Sequence, residues 1–243
     1  MYYRKFLAWA VAFLIAVSSI GVASTRANVS KEKEQTSLQG IEPLNLAILI
    51  QDDLISQVGN ELGVTRDFIR SLPQGSRVMV GYITTGTLQV RQPFTTDLEK
   101  AATSLRIPIA SRGSSAFYPH VEVLEALKKF DDGWSNNAVL LISDGLDTSR
   151  GFDSTAAGHT LDIDRTIADA NRRHVSIFSF YAPSVGLTSH SHLAASYGQS
   201  SLNRVSNETG GRAFFQGTTG FVTFDSYFSR LRETLNRQYA RAR

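Results

Sequence analysis

The sequence predicts an α/β fold in which helices cover both faces of a doubly wound, mostly parallel six-stranded sheet with one antiparallel edge strand. Short apolar segments alternate with amphipathic segments of helical length, as parallel sheets with helical crossovers require. The clearest segment is V-L-L-I-S-D-G-L-D at 139–147, where an apolar strand stops at an acid and a glycine. Open α/β sheets bind ligands at the carboxyl ends of their strands. Asp144 is therefore the first candidate site residue.

Five further segments complete the predicted sheet. The first of them is apolar except for Asn45, and the third returns from the turn Thr85-Gly86 as the antiparallel strand. In chain order these strands cover 44–50, 77–84, 87–90, 175–181 and 212–215.

Apolar residues at helical spacing predict a helix between most of these strands. Residues 182–197 are instead predicted to form a long loop. Four phenylalanines near the last strands, Phe178, Phe180, Phe214 and Phe215, are predicted to fill the core. The predicted helices cover 58–72, 95–105, 115–130, 161–173, 201–209 and 224–239.

The beginning of the chain predicts export. Residues 1–27 combine the basic pair Arg4-Lys5, an apolar run at 6–22 and small residues, which is typical of a secretory signal. The protein would then be periplasmic or secreted, or membrane-anchored through 6–22 if the signal stays uncleaved. Residues 28–42 are polar and predict a flexible spacer, and 43–243 form one domain. The chain has no cysteine, so no disulfide stabilises it.

The charge of the chain gives no support to nucleic-acid binding. Arg4, Lys5 and Arg26 lie in the first 27 residues, and without them 22 basic residues face 22 acidic ones. Only the C-terminal end is strongly basic. Its arginines predict either the solvated face of a terminal helix or a contact with an acidic envelope surface. These arginines are Arg230, Arg232, Arg237, Arg241 and Arg243.

Acids and hydroxyls gather at the predicted carboxyl edge of the sheet. Asp52 and Asp53 follow the first strand, Ser114 and Ser115 precede a predicted helix, and Asp144 follows the fourth strand. Carboxylates and hydroxyls without histidine or cysteine suit Mg²⁺ or Ca²⁺ better than zinc. The alternative is that the acids begin the next helix, where the helix dipole favours negative charge, and that Ser114 caps another.

Four segments in order resemble the von Willebrand factor type A (VWFA) domain. L-N-L-A-I-L-I with its acids resembles the first strand of that family, and 139–147 resembles the fourth. Residues 202–215 resemble the late helix-turn-strand of bacterial members, and 224–239 the closing helix of the group called VWFA-related in acidobacteria. The resemblance covers about residues 43–240 and implies a Rossmann-like fold.

The resemblance also implies a metal-ion-dependent adhesion site. Such sites combine an Asp-x-Ser-x-Ser loop, a Thr from a second loop and an Asp after the fourth strand, and the metal binds a carboxylate of the partner. Asp144 matches the last acid, and Ser115 replaces the Thr. The first loop is degenerate, because the expected Asp, Ser and Ser fall on Gln51, Asp53 and Ile55. The candidate metal ligands are therefore Asp53, Ser115 and Asp144.

We expect an exported, adhesion-type interaction module that binds a protein partner at the carboxyl edge without a standard metal site. One alternative is an adhesion domain that depends on a divalent metal. A second is a hydrolase using the same acids, but the sequence lacks the nucleophile-elbow, phosphate-loop and dinucleotide motifs. A phosphatase of the haloacid dehalogenase type would need an acid where Leu54 stands. A third is a structural envelope protein anchored through 6–22. We expect no enzyme.

Overall fold

The computed structural model describes residues 38, 41–109, 117–148, 160–217 and 223–240. The predicted signal at 1–27, most of the predicted spacer, and Ser114 and Ser115 lie outside these residues. Within the described ranges, no helix is long and apolar enough to cross a membrane.

One sheet of six strands has the order β3-β2-β1-β4-β5-β6. All neighbouring pairs are parallel except β2 and β3, which confirms the predicted class and its antiparallel edge strand. The edge strand is longer than predicted and carries a register shift near Val80. The strands are β1 (Asn45–Gln51), β2 (Arg77–Thr84), β3 (Thr87–Thr95), β4 (Asn137–Ser143), β5 (Val175–Tyr181) and β6 (Ala213–Phe214).

Eight helices lie in the described part of the chain. They are α1 (Gln57–Asn60), α2 (Leu62–Arg70), α3 (Leu98–Thr103), α4 (Pro119–Leu127), α5 (Leu161–Arg172), α6 (Leu187–His190), α7 (His192–Glu208) and α8 (Asp225–Gln238).

The central strands are mostly apolar because both faces of the sheet are covered. On β1, Leu46, Ile48 and Ile50 pack in the cluster that includes residues of α2, α3 and α8. Ala47 and Leu49 pack in the opposite cluster, with residues of α4, α5 and α7. Two apolar layers therefore sandwich the sheet, and the polar residues of β1 and β4 lie at the strand ends.

The packed part of the chain begins earlier than residue 43. Leu38 and Ile41, which fall in the predicted spacer 28–42, are both buried in the α8 side of the core. Ile41 also forms an isolated antiparallel bridge with Ala240.

The predicted loop 182–197 is wrong, because it contains α6 and the beginning of α7. The buried positions of α7 are mostly small, including Ala194, Ala195, Gly198 and Ser201. Small residues give no apolar periodicity, so the sequence pattern started this helix nine residues too late, at 201 instead of 192.

The bounds of two further helices differ from the predicted ones. The helix predicted from Ser115 begins at Pro119 within the described residues, which agrees with the preference of proline for the first helical turn. The helix predicted over 58–72 is divided at Glu61 into α1 and α2.

Three of the four predicted core phenylalanines are confirmed. Phe180 lies at the centre of an aromatic cluster, with ring centroids 5.5 Å from Phe214 and 4.8 Å from Phe228. Phe178 is buried as well. Phe215 is the exception and is exposed, because the short β6 ends at Phe214.

Candidate functional site

The candidate site lies where the strand order of the sheet reverses. β1 pairs with β2 on one side and with β4 on the other, and their connections leave in opposite directions. Ligands of open α/β sheets bind at the carboxyl ends of the strands at this point. Gln51 ends β1 and Asp144 follows β4, so the two residues meet at this position.

The carboxamide of Gln51 links the two strand ends. Its Oε1 accepts hydrogen bonds from Ser143 Oγ at 2.5 Å and from the backbone N–H of Asp144 at 3.3 Å. Its Nε2 donates to Asp53 Oδ1 at 2.7 Å. The side chain is buried. Gln51 therefore occupies the centre of the site and uses both ends of its amide there.

The carboxylate of Asp144 is enclosed. It is buried, and its Oδ1 accepts from the backbone N–H of Leu146 at 3.0 Å. Its Oδ2 accepts from Thr188 Oγ1 of α6, also at 3.0 Å. Burial raises the pKa of Asp144, and these hydrogen bonds oppose the rise. Asp144 thus stabilises the junction of β4 and α6 and does not reach solvent.

Asp53 lies beside this enclosed acid and is partly exposed. Burial, followed by the negative charge of Asp144, raises the pKa of Asp53 to about 7, while the hydrogen bond from Gln51 opposes the rise. Its carboxylate forms no ion pair with any cation in the described part of the chain. Asp53 is therefore the accessible acid of the Gln51 network.

The neighbouring acid, Asp52, has a different role. Arg106 binds both of its oxygens, at 2.6 and 2.7 Å, and the backbone N–H of Ile109 donates to Oδ1 at 2.8 Å. The guanidinium of Arg106 also lies 3.9 Å from the ring centroid of Tyr82. The alternative that Asp52 begins the next helix is wrong, because α1 begins only at Gln57. It instead fixes residues 106–109 beside the end of β1.

Backbone hydrogen bonds join the loop after β1 to the loop after β5. The N–H of Ile55 donates to the carbonyl of Pro183 at 3.0 Å, and the N–H of Val185 donates to the carbonyl of Asp53 at 2.9 Å. Leu54 and Ser184 form a bridge between them. These bonds close the site over Asp144 and leave Asp53 at its surface.

The described donors do not fit a divalent cation in the manner of an adhesion site. The amide nitrogen of Gln51 faces Asp53, both oxygens of Asp144 already accept hydrogen bonds, and Ile55 offers no ligand atom. Within the described ranges, no three acidic, histidine or cysteine side chains are grouped so that they could hold a metal ion. Of the three predicted ligands, Asp53 and Asp144 lie together, and Ser115 lies outside the described residues.

A histidine–serine pair is present beneath the site. Nε2 of His120 lies 3.3 Å from Ser201 Oγ, which also contacts the carbonyl of Gly145 at 2.5 Å. Burial lowers the pKa of His120 to about 4, with Asp147 acting in the opposite direction. Both side chains are buried. The pair joins α4, α7 and the end of β4 and has no access to a substrate.

All seven large apolar side chains that are exposed in the described residues belong to the carboxyl edge. Ile107 and Ile109 are held there by Asp52, and Val185, Leu187 and Leu193 follow β5. Leu161 begins the helix after β4, and Phe215 follows β6 directly. We call these seven residues the apolar edge: Ile107, Ile109, Leu161, Val185, Leu187, Leu193 and Phe215.

Sequence reasoning missed three residues of this site. The sequence identifies Gln51 only as a departure from the adhesion motif, and it places Thr188 in the predicted loop 182–197. Arg106 carried no local signal, since its partner Asp52 lies 54 residues away. An apolar strand that ends in an amide followed by two acids was the one available hint for Gln51.

Solved structures agree with this topology. An aerotolerance-related membrane protein from Bacteroides fragilis NCTC 9343 is 11% identical, with a TM-score of 0.54 over 80% of this chain and 100% of that one. BatB from Bacteroides thetaiotaomicron is 12% identical, with a TM-score of 0.53 over 80% and 98%. Human Sec24c of the COPII coat is 12% identical, with a TM-score of 0.53 over 80% of this chain and 32% of that one.

No family model and no curated protein matches the sequence. Likeness at 11–12% identity establishes the fold and nothing finer. Together with the strand order and the single antiparallel edge strand, it shows that this chain has a von Willebrand factor A-like fold.

Proposed function

We propose that this chain is an exported protein-interaction module that binds a protein partner through the carboxyl edge of its sheet, without a divalent cation. The observation that carries the proposal is the position of the apolar edge. Single exposed apolar residues are ordinary on protein surfaces, but seven confined to one edge are typical of an interaction site. Leu161, Leu187 and Leu193 lie in the first turns of their helices, and the opposite edge of the sheet contributes none among the described residues.

The enclosed hydrogen-bond network supports binding without metal. In the resembling family, a cation completes the site and receives a carboxylate of the partner. Here the amide of Gln51 links Ser143, Asp144 and Asp53 directly. Protein atoms therefore stabilise the loops that a cation would otherwise organise, and the loops are ready to bind through shape and apolar contact.

The proposed localisation and the proposed place within the VWFA family are supported by the sequence. The signal-like residues 1–27 support export to the periplasm or the exterior, with anchoring through 6–22 if they are retained. One structural neighbour is described as a membrane protein, and another as a component of a coat. The four resembling segments support a place in the VWFA-related group of acidobacteria with a degenerate adhesion site.

Selection of phage-displayed peptides against the purified chain tests the proposal. Selected peptides would be titrated calorimetrically against wild type, Ile109→Ser, Val185→Ser and Phe215→Ser, with and without a chelator. We expect the edge variants to weaken binding at least about tenfold and the chelator to have no effect. Lys129→Ser, an exposed change away from this edge, is the control and should bind normally.

Two results would overturn the proposal. One is that the selected peptides bind all edge variants as tightly as wild type. The other is that they bind only when Mg²⁺, Ca²⁺ or Mn²⁺ is present.

A further inference from the structure

The charges at the centre of the apolar edge are unbalanced. The two terminal nitrogens of the Arg106 guanidinium pair with the carboxylate of Asp52 and neutralise its charge. Asp53 and Asp144 lie close enough for the charge of Asp144 to act on Asp53, yet neither forms an ion pair with a cation of the described chain. Above about pH 7, Asp53 therefore carries a negative charge that no cation of the described residues balances.

Two exposed apolar residues are hydrogen-bonded to the loop that carries Asp53. Ile109 is anchored through its backbone N–H to Asp52, and its side chain is 65% exposed. Val185 is anchored through its backbone N–H to the carbonyl of Asp53, and it is 43% exposed. Both exposed residues therefore belong to segments that are hydrogen-bonded to the consecutive residues Asp52 and Asp53.

This arrangement suits one kind of side chain. Lysine and arginine lay their aliphatic stems along apolar surfaces while the charged group reaches a polar partner. A carboxylate would instead be repelled, because Asp53 and Asp144 are both acidic. A purely apolar segment would cover Asp53 and leave its charge without water or a counterion, which is costly.

We infer that the partner segment carries a lysine or arginine that pairs with Asp53, with its stem packed between Ile109 and Val185. The inference rests on the proposed function and names the chemistry of its ligand. The charges are the reverse of those in an adhesion site. There, a bound metal ion receives a carboxylate of the partner; here, the partner supplies the positive charge and this chain supplies the carboxylate.

Three probes of equal chain length isolate the charge: hexylammonium, hexanol and hexanoate. Each would be titrated at pH 8, above the pKa of Asp53, into the isotope-labelled full chain, with binding followed by the NMR signals of residues 52–54, 109 and 185. We expect hexylammonium to bind at least about tenfold more tightly than hexanol, and hexanoate to bind most weakly. In Asp53→Asn, hexylammonium should fall to the affinity of hexanol, while hexanol itself is unchanged.

Matched variants separate this inference from the proposed function. Asp67→Asn removes an exposed acid from α2 and should leave hexylammonium binding intact. Ile109→Ser and Val185→Ser should weaken both hexylammonium and hexanol. Equal binding of the three probes at these residues, or unchanged hexylammonium binding by Asp53→Asn, overturns the inference. Selected peptides that bind the edge without any basic residue would overturn it too, while leaving the proposed function standing.

Discussion

The backbone of Gly198 in α7 lies directly against the carbonyl oxygen of Asp144, so closely that a β-carbon at position 198 would overlap that oxygen. On the other side of the contact, Gly145 has a φ of 69° and faces the carbonyl of Gly198. Two glycines thus allow the helix to rest on the end of β4, where the site acid emerges.

Gly198→Ala should therefore destabilise the fold strongly. The methyl group would meet backbone, which cannot rotate away, so we expect a loss of about 2–4 kcal/mol in the free energy of unfolding. Urea titration followed by circular dichroism measures it. Gly63→Ala is the matched control, because nothing lies within 4 Å of its added carbon. Because alanine favours the helix more than glycine does, Gly63→Ala should increase the free energy of unfolding by as much as about 1 kcal/mol. Equal effects of the two substitutions would contradict the close contact.

The ion pair between Asp52 and Arg106 should be worth more than a similar pair on the surface. Asp52 is 8% exposed, so Arg106→Met leaves a buried carboxylate without its partner. We expect a loss of about 3 kcal/mol. The control is Arg70→Met, which breaks a bidentate pair of similar length with Glu99 on the surface and should destabilise the fold much less, because water screens the pair.

A double-mutant cycle completes this test. Adding Asp52→Asn to Arg106→Met removes the stranded charge and should recover part of the lost stability. If the losses in the free energy of unfolding caused by the two single changes simply added up in the double variant, the two side chains would not stabilise each other, which would contradict the prediction.

The stability of Asp53→Asn relative to wild type should depend on pH. The folded-state pKa of Asp53 is about 7 against an ordinary 3.8, so the folded protein holds the proton more tightly than the unfolded chain. Its stabilising effect is complete below pH 3.8 and is lost as the pH rises through about 7. Asp53→Asn should therefore be more stable than wild type at pH 8, by at most about 4 kcal/mol.

This advantage should shrink steadily on acidification and disappear near pH 4. Asparagine keeps an oxygen that can accept the bond from Gln51, so the hydrogen-bond network is preserved. Urea titrations of both proteins across pH 4–8 measure the difference. A difference that stays constant with pH would contradict the raised pKa.

His120 should make the free energy of unfolding depend on pH with the opposite sign to Asp53, over an overlapping pH range. Its pKa is lowered to about 4 from 6.5 by burial, so the unfolded chain takes up the proton first. The contribution of the neutral ring is present above pH 6.5 and is lost as the pH falls to about 4. Relative to His120→Gln, wild type should lose about 3 kcal/mol over that range. Parallel curves for the two proteins would show that His120 does not titrate in this way.

The sequence predicts the sheet better than the site because the two depend on different kinds of information. Apolar segments such as 139–143 are readable since both faces of each strand are buried. The helix α7 is not, because its buried face uses Ala194, Gly198 and Ser201. The two adjacent acids have different partners for a similar reason: Asp52 pairs with an arginine 54 residues away, and Asp53 pairs with no arginine of the described residues. Such partnerships are set by the fold and leave no local pattern.

Gln51 offers the last test, since a single change there would turn its hydrogen-bond network into a cluster of acids. Gln51→Asp places a third carboxylate beside Asp53 and Asp144, and it removes the amide that bonds to both strand ends. Repulsion between the buried charges should destabilise the variant without metal. A divalent cation should then bind the cluster and restore stability, by about 2.7 kcal/mol at a concentration 100 times its dissociation constant.

Thermal unfolding in the presence of Mg²⁺, Ca²⁺, Mn²⁺ or a chelator would measure this effect. Gln51→Leu is the control, because it removes the same hydrogen bonds without adding an acid and should be destabilised with no rescue by metal. Wild type should unfold at one temperature in all four conditions, since the amide nitrogen of Gln51 stands against Asp53 where a cation would need an oxygen. Stabilisation of wild type by metal to the same extent as Gln51→Asp would show that the amide does not prevent cation binding.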